Sequence, residues 1–412
     1  MRSGAVKNWF GSGNRAAALL WLLTVLVAAI GGVAGHRTVT DVYHGAVEHW
    51  LSGQDLYGGG FQYPPTFVLL FAPFHALPHA FGEYLWRGLS ALLLAIGCWR
   101  LLGLQVTTPA RRRRLFLWLS LPVLLTAFDA FRNGQANVLF GALTVLGACA
   151  LAGRSGAAPR LNQAALLLTL ACLIKPFGIV TMLLAVLAWP ALAWRFAALI
   201  LLGLALPYLT APADYVDQQY RLMASHLAAM SHNPEARFAD FNDLLRVLHL
   251  AVPPGWCLLL RAGAGLAFAW IWAWAWLRAR AGAASPSPTP AGASPALTLY
   301  ALSAAYLMLF NPMTEQNSYV IAAPFMALLA VGAAGRAFAL PVRIALMVLL
   351  LSLTVLPEAL RHAAPDFGLW WHPLAMVVFT AVFSAGVLFP ARGRQVAAGG
   401  LANAGAQPSP TI

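Results

Sequence analysis

Long apolar runs follow one another along nearly the whole chain, and short polar or basic loops separate them. With 60% hydrophobic and 9% charged residues, the 412-residue chain is far less charged than a soluble domain, in which roughly a quarter of the residues carry charge. Only helices and closed barrels satisfy their backbone hydrogen bonds inside a bilayer. The runs are long enough for helices, so the sequence predicts an all-α, polytopic transmembrane protein.

The apolar runs predict about 12 membrane spans. We place them near residues 16–34, 84–104, 115–131, 135–153, 161–174, 176–190, 195–211, 256–277, 297–311, 319–333, 342–356 and 372–389. Segment 66–80 contains Pro73 and Pro78 and is too short to cross, so we expect a re-entrant or juxtamembrane helix there. A full crossing would also carry the basic run 111–114 outside, against the positive-inside bias.

The formal net charge of +13 comes largely from arginines in short loops between the runs. Such a charge would indicate nucleic acid in a soluble protein, but in a membrane protein it sets the orientation. We therefore expect no nucleic-acid partner, both termini in the cytoplasm, and all 13 acidic residues and ten histidines outside. A single transmembrane domain is predicted for residues 1–394, with a Pro/Ser/Ala-rich cytoplasmic linker at 282–295 and a disordered tail at 395–412.

The most polar stretch lies between the first two spans, at residues 36–80, and is the predicted site of chemistry. Helical spacing would place Asp41, His44 and Glu48 on one face of a short interfacial helix. There Asp41 could remove a proton from a hydroxyl, or it could be a helix cap or a solvated acid. The sequence Tyr63-Pro64-Pro65 predicts an extended chain that leads into the short apolar helix.

A lysine breaks the apolar run between residues 164 and 188, where Lys175 precedes Pro176. A lysine inside the membrane is costly, whereas two short helices that meet at Lys175 would bring it to the outer surface. Its ammonium could then neutralise a phosphate as a point charge. The alternative is a lysine that extends toward the interface beside a proline kink.

Further polar side chains gather at the predicted outer ends of other spans. Asp129 and Arg132 could face a cavity, or they could form a pair that only stabilises a turn. The segment 310–319 could supply a hydrogen-bonding wall for a polyhydroxylated ligand, or it could be an ordinary turn. The remaining candidates for substrate binding are Gln135, Asn137, Asn242 and Glu315.

No metal site and no cofactor are predicted. The four cysteines lie in apolar runs without a paired spacing, which argues against a metal site and against disulfides. His226 and His232 are six residues apart, a spacing that matches no pair of ligands on one helix face.

The order of these motifs resembles glycosyltransferase family 87. The motifs are Asp41 after the first span, then WLSGQDLYGGGFQYPP, then NGQANVL, then the Lys175-Pro176 break, and the resemblance covers most of residues 15–330. The family consists of polytopic enzymes of the GT-C class, related to bacterial mannosyltransferases that use polyprenol-phosphate mannose. The sequence FNDLL places Asn242 near the family's Asn-rich motif, although the following Asp-Leu departs from the usual pattern.

The resemblance implies an inverting transfer of a hexosyl group, with mannose as the expected sugar. The donor would be a polyprenyl-phosphate-linked sugar, and the acceptor would be a lipid or glycan hydroxyl at the outer face of the bacterial inner membrane. Asp41 would act as the base and Lys175 would contact the donor phosphate. His44, Tyr63 and the polar candidates named above would bind substrate.

Two other functions compete with this one. A transporter of lipid-linked envelope precursors would need ionisable residues along a path through the bilayer, whereas the predicted topology places them on one side. A scaffold that has lost activity ranks last, because Asp41 and Lys175 are both present.

Overall fold

The computed structural model describes residues 12–35, 38–106, 108–152, 158–231, 237–250, 252–282, 294–311, 313–332 and 338–388. Within these ranges the regular structure consists of α-helices and short 3-10 helices. The prediction of an all-α protein is confirmed. Most of the predicted linker, residues 283–293, and all of the predicted tail, residues 395–412, lie outside the described residues.

The α-helices are numbered here in chain order. They are α1 Ser12–Ala34, α2 Thr40–Ser52, α3 Pro65–His75, α4 His79–Gly103, α5 Pro109–Arg132, α6 Ala136–Leu151, α7 Leu161–Ile174, α8 Ile179–Ala188, α9 Leu192–Ala205, α10 Ala213–Ser231, α11 Phe241–Val247, α12 Pro254–Gly282, α13 Pro295–Phe310, α14 Ala323–Ala330, α15 Leu340–Leu360 and α16 Phe367–Leu388.

Seven helical segments of the described ranges are long and apolar enough to cross a membrane. They are Arg15–Ala34, His79–Gly103, Pro109–Arg132, Leu192–Leu209, Gly255–Ala281, Leu340–Leu360 and Phe367–Leu388. Four other predicted spans correspond to shorter apolar helices, namely α6, α7, α8 and α13. The span predicted at 319–333 contains a 3-10 helix, Gln316–Ile321, followed by α14. These segments confirm a polytopic membrane protein.

The short helix predicted between the first two long spans is present as α3. It has 11 residues and begins at Pro65, where proline suits the first helical turn. Its length of about 16 Å is well below the roughly 30 Å of a bilayer core. It ends at His75, before the predicted residue 80, and α4 begins at His79 instead of residue 84. The residues that α4 contains before the predicted start, 79–83, include the charged Glu83, which is buried inside the protein.

The centre of the molecule is α6, all of whose residues are buried. It packs against α4, α7 and α13, so protein rather than lipid surrounds its apolar side chains. In contrast, α12 is largely exposed: only 11% of its most apolar stretch of 18 residues is buried inside the protein. An apolar helix with so little buried surface is suited to face lipid.

The packing of α1 against α5 positions the region that follows α1. A Cβ added at Gly32 would lie 2.0 Å from the carbonyl oxygen of Arg132, so the close approach of the two helices requires glycine. Farther along the same interface, the Trp21 Nε1–H donates to Ser120 Oγ at 2.9 Å. After α1, the Val39 N–H donates to the Asn133 carbonyl at 2.9 Å. The start of α2 is thereby fixed next to the turn between α5 and α6.

Candidate functional site

Asp41 lies in the first turn of α2 and is exposed. The residue that precedes the helix is Val39, which makes no side-chain cap, so Asp41 is not the N-cap of this helix. A carboxylate in the first turn still interacts favourably with the helix dipole. The Asp41 side chain is 54% exposed, and its Oδ1 is 3.6 Å from His79 Nε2. Asp41 is therefore free to contact a bound hydroxyl, with an imidazole beside it.

A buried carboxylate lies next to the start of α2. Glu83 on α4 is fully buried and forms an ion pair with Arg87, one helical turn farther along. The Thr40 hydroxyl donates to Glu83 Oε2 at 2.6 Å. Arg87 also donates to the Phe131 carbonyl at 2.9 Å and to Thr38 Oγ1 at 2.8 Å. This network connects the start of α2 with α4 and with the end of α5.

His44, a predicted substrate-binding residue, is buried on the same helix as Asp41. Its Nε2 is 3.3 Å from Glu83 Oε1, and its Nδ1 is 3.0 Å from His75 Nδ1. Glu48, which the helical spacing placed on the same face, is exposed. Asp41, His44, His75, His79 and Glu83 form what we call the histidine–carboxylate cluster.

Tyr63 belongs to a second group of side chains, which includes Tyr43 of α2. Its hydroxyl is 2.8 Å from that of Tyr43, and its ring stacks on Phe67 with 4.4 Å between the centroids. The Tyr57 hydroxyl donates to the Tyr63 carbonyl at 3.1 Å. Burial raises the pKa of Tyr63, so its hydroxyl stays protonated and can donate a hydrogen bond.

Lys175 approaches the ring of Tyr63. The predicted break is confirmed, because α7 ends at Ile174, Lys175 is extended and Pro176 opens a 3-10 turn before α8. The Lys175 Nζ lies 5.5 Å from the centre of the Tyr63 ring. Burial lowers the pKa of the lysine amine, while the carboxylate of Glu315 raises it. A bound anion would therefore stabilise the protonated amine further.

The predicted residues Gln135, Asn137 and Glu315 lie together, although 180 positions separate the first from the last. The Gln135 Nε2 donates to Glu315 Oε2 at 3.2 Å. The Asn137 amide donates to Asn317 Oδ1 at 3.2 Å and to Ser318 Oγ at 3.1 Å. The predicted wall of residues 310–319 thus contacts the NGQANVL segment. We call Tyr43, Tyr63, Lys175, Gln135 and Glu315 the tyrosine–lysine cluster.

Asp129 and Arg132 form an ion pair at the end of α5. Arg132 Nη2 is 2.9 Å from Asp129 Oδ1, and both side chains are substantially exposed. Asp129 also lines a cavity of about 210 Å³ whose wall includes Asn317, Glu358 and His372. The pair therefore connects residues of the last turn of α5, and Asp129 also faces a cavity.

Asn242 has no described side-chain contact with either cluster. It is the second residue of α11, and its backbone N–H donates to the Asp240 carboxylate at 3.0 Å. The segment before α11 does approach the wall, because the Ala239 N–H donates to the Thr314 carbonyl at 2.7 Å. Burial raises the pKa of Asp240 to about 6. Of the histidines considered above as a ligand pair, His232 lies outside the described residues.

The two clusters contact different faces of α2. Asp41 belongs to the first and Tyr43 to the second, and residues two apart on a helix point in nearly opposite directions. His44 also belongs to the first, although its ring, like that of Tyr43, contacts Phe71. The described contacts join Asp41 to His79 and Lys175 to Tyr63. This arrangement offers an exposed carboxylate at the first cluster. At the second it offers an ammonium among hydroxyl, amide and carboxylate groups.

Several residues of the two clusters were missed in the sequence. Tyr43, His75, His79, Glu83 and Arg87 were not singled out, since they occur alone within apolar or interfacial segments. One local signal was present, because His79 and Glu83 are four residues apart and so share a helix face.

A comparison with known families matches the chain to glycosyltransferase family 87 over residues 61–309. The matched part includes Tyr63, Lys175 and the NGQANVL segment, whereas Asp41, His44 and Glu315 lie outside it. No curated protein and no solved structure matches the chain. Because the match covers more than half of a polytopic membrane chain, this protein belongs to glycosyltransferase family 87 and is a membrane-associated glycosyltransferase.

Proposed function

We propose that the protein transfers a hexosyl group, mannose, from a polyprenyl-phosphate donor to a hydroxyl of a lipid or glycan acceptor. The reaction takes place at the outer face of a bacterial inner membrane, with both termini in the cytoplasm. The observation that carries the proposal is the position of Lys175, at a helix break beside Tyr63 and Glu315. A lysine at a break between two short apolar helices is suited to contact the phosphate of a lipid-linked donor at the membrane surface. Mannose follows from the resemblance to the family's mannosyltransferases.

In the proposed reaction the acceptor oxygen attacks the anomeric carbon from the face opposite the phosphate. The carbon–oxygen bond to the phosphate breaks, so the anomeric configuration inverts and polyprenyl phosphate leaves with the bonding electrons. The acceptor proton passes to Asp41. The Lys175 ammonium stabilises the negative charge that develops on the leaving phosphate, which is the electrostatic contribution that lowers such barriers most.

Asp41 is the better candidate for the base than Glu315. The Glu315 carboxylate already accepts a hydrogen bond from Gln135 and interacts with the lysine, so it is suited to fix the cation and bind sugar hydroxyls. Asp41 is more than half exposed, and its closest described partner is an imidazole 3.6 Å away. His44 and Tyr63 support the two sides of α2, and Gln135, Asn137, Asp129, Arg132 and Asn242 are assigned to substrate recognition.

The replacement Asp41→Asn tests the base. Purified full-length protein is incubated with a panel of polyprenyl-phosphate sugars and an acceptor-containing lipid extract, and donor loss is followed by mass spectrometry. We expect Asp41→Asn to lower kcat by about 10²–10⁴-fold with little change in the donor KM, because it removes a general base. The matched control is Glu48→Gln, which removes an exposed acid from the same helix and should leave kcat unchanged.

Wild-type rates in Asp41→Asn would reject Asp41 as the base. If no sugar donor is consumed by the wild-type protein, the transferase assignment to polyprenyl-phosphate sugars fails. Movement of an intact lipid-linked sugar across a liposome membrane, with no transfer to any acceptor, would support the transporter instead.

A further inference from the structure

Three side chains of the histidine–carboxylate cluster have the composition of a transition-metal site. His44, His79 and Glu83 each offer one ligand atom, and these atoms lie within 4.8 Å of one another. Two imidazoles and one carboxylate are a known ligand set of zinc enzymes, in which a fourth position remains open. We propose that this cluster binds one divalent transition-metal ion of the Zn²⁺ class.

One carboxylate oxygen of Glu83, Oε1, supports the proposal. Arg87 and Thr40 both bind Oε2, so that oxygen is occupied. The only described partner of Oε1 is His44 Nε2, at 3.3 Å, which is long for a hydrogen bond to a carboxylate. Since Glu83 is fully buried, its Oε1 is an acceptor that no described donor satisfies well.

The second nitrogen of His44 is already held in the way that metal-bound histidines are held. Its Nδ1 lies 3.0 Å from His75 Nδ1. In the tautomer in which His44 Nδ1 donates to His75 Nδ1, the lone pair of His44 is on Nε2, the nitrogen next to Glu83. Histidine ligands usually engage their other nitrogen in a hydrogen bond that fixes the ring. His75 would therefore orient a ligand without itself binding the ion.

The spacing of the ligand atoms allows the site to close. Bonds of 2.0–2.1 Å in a tetrahedron place ligand atoms roughly 3.3 Å apart. His44 Nε2 and Glu83 Oε1 already have this separation, at 3.3 Å. The side chain of His79 is 59% exposed, so a rotation of this ring can bring its nitrogen to the ion without disturbing the core.

Charge also favours a cation at this position. With neutral histidines, the carboxylates of Asp41 and Glu83 outweigh the single guanidinium of Arg87. Nitrogen-rich sites bind Zn²⁺ and related ions, whereas Mg²⁺ and Ca²⁺ prefer oxygen ligands. The spacing of His226 and His232 argues against a metal site at that pair, whereas the ligands proposed here come from α2 and α4.

The proposal is tested on metal content, which does not depend on the proposed transferase activity. Full-length protein is purified through a tag without histidine, treated with a chelator, and equilibrated with Zn²⁺, Co²⁺ or Mg²⁺. Bound metal is measured by mass spectrometry, and the visible absorption of Co²⁺ reports nitrogen ligation. We expect one Zn²⁺ or Co²⁺ per chain and no retention of Mg²⁺.

Variants identify the ligands. His79→Gln changes an exposed side chain and should abolish stoichiometric metal binding while the protein stays folded. His75→Gln removes only the orienting partner, so we expect metal affinity to fall about 10- to 100-fold. The matched control is His49→Gln on α2, the helix that carries His44. The Nδ1 of His49 is 2.8 Å from the Asp55 carbonyl oxygen. This variant should bind metal like the wild type.

Two results would overturn the proposal. One is a wild-type protein that retains no Zn²⁺ or Co²⁺ after equilibration. The other is a His79→Gln protein that binds the ion as tightly as the His49→Gln control.

Discussion

The position of Lys175 follows from the proline after it. Proline disfavours the helical conformation in the residue that precedes it, and Lys175 is extended, with φ −134° and ψ 117°. The last turn of α7 therefore ends immediately before the lysine. A cationic residue is favourable directly after the C-terminus of a helix, and from there the Lys175 side chain reaches the ring of Tyr63.

Replacing Lys175 by methionine tests its proposed contact with the donor phosphate. A hydrogen bond to a charged group contributes about 1.5–3 kcal/mol, so we expect Lys175→Met to raise the donor KM about 10- to 100-fold. We also expect kcat to fall, because the same ammonium would stabilise the charge on the leaving phosphate. The carboxylate of Glu315 would then also repel the phosphate. Initial rates over a range of donor concentrations measure this effect. Lys175→Arg keeps the charge and should bind more tightly than Lys175→Met; an unchanged KM in both would contradict the assignment.

At the level of helices, the contact between α1 and α5 determines where α2 begins. Gly32 permits the contact, and Arg87 fixes the neighbouring turn through the Phe131 and Arg132 carbonyls. The backbone of residue 39 then bonds to that of residue 133. The location of Asp41 thus depends on the packing of two membrane helices, neither of which carries the proposed base.

Neighbouring glycines on α1 provide a matched test of this packing. In Gly32→Ala the new methyl group would meet the Arg132 carbonyl, so the helices must separate, and we expect a loss of about 1–3 kcal/mol in stability. A Cβ at Gly31 meets nothing within 4 Å, and alanine is a better helix former. Thermal unfolding of the solubilised proteins compares the two. Gly32→Ala should unfold at a lower temperature than Gly31→Ala, and equal midpoints would refute the tight contact.

For the whole molecule, the charge distribution predicts which ends of the helices face the cytoplasm. A helix of 24 residues such as α5 is about 36 Å long, so its two ends lie on opposite sides of a bilayer. Residue 133, just after α5, bonds to residue 39, at the start of the polar segment that includes α2. The predicted topology places this end outside and the basic start of α5 inside.

Cysteine labelling tests this orientation. In a chain whose native cysteines are replaced by alanine, Ser52→Cys and Ala110→Cys each introduce one exposed thiol. A maleimide that cannot cross membranes should label Ser52→Cys in intact cells, and Ala110→Cys only after lysis. The reverse pattern would invert the topology and move the proposed reaction to the cytoplasmic face.

The elements that the sequence predicts correctly are those set by local signals. The apolar runs predict the helices, Pro65 predicts the start of α3, and Pro176 predicts the break at Lys175. The contacts between the elements were not predictable in this way. The bond between Gln135 and Glu315 joins residues far apart in the chain.

Buried charges were the other source of error. The predicted span begins at residue 84, directly after the charged Glu83, and already contains Arg87. In the structure each satisfies the other inside the protein, which allows α4 to begin earlier. A single sequence does not reveal that two such charges are paired, because the pairing depends on Thr40 and on the end of α5 as well.

Helix α2 has only 13 residues, and it carries members of both clusters on its two sides. The ring of its Tyr43 packs edge-on against Tyr63 and Trp86, while His44 Nδ1 is 3.0 Å from His75 Nδ1. A turn of α2 about its own axis would therefore break contacts on both sides at once. We therefore expect the proposed base at Asp41 and the Tyr43–Tyr63 contact next to Lys175 to move together, as parts of one short rigid element.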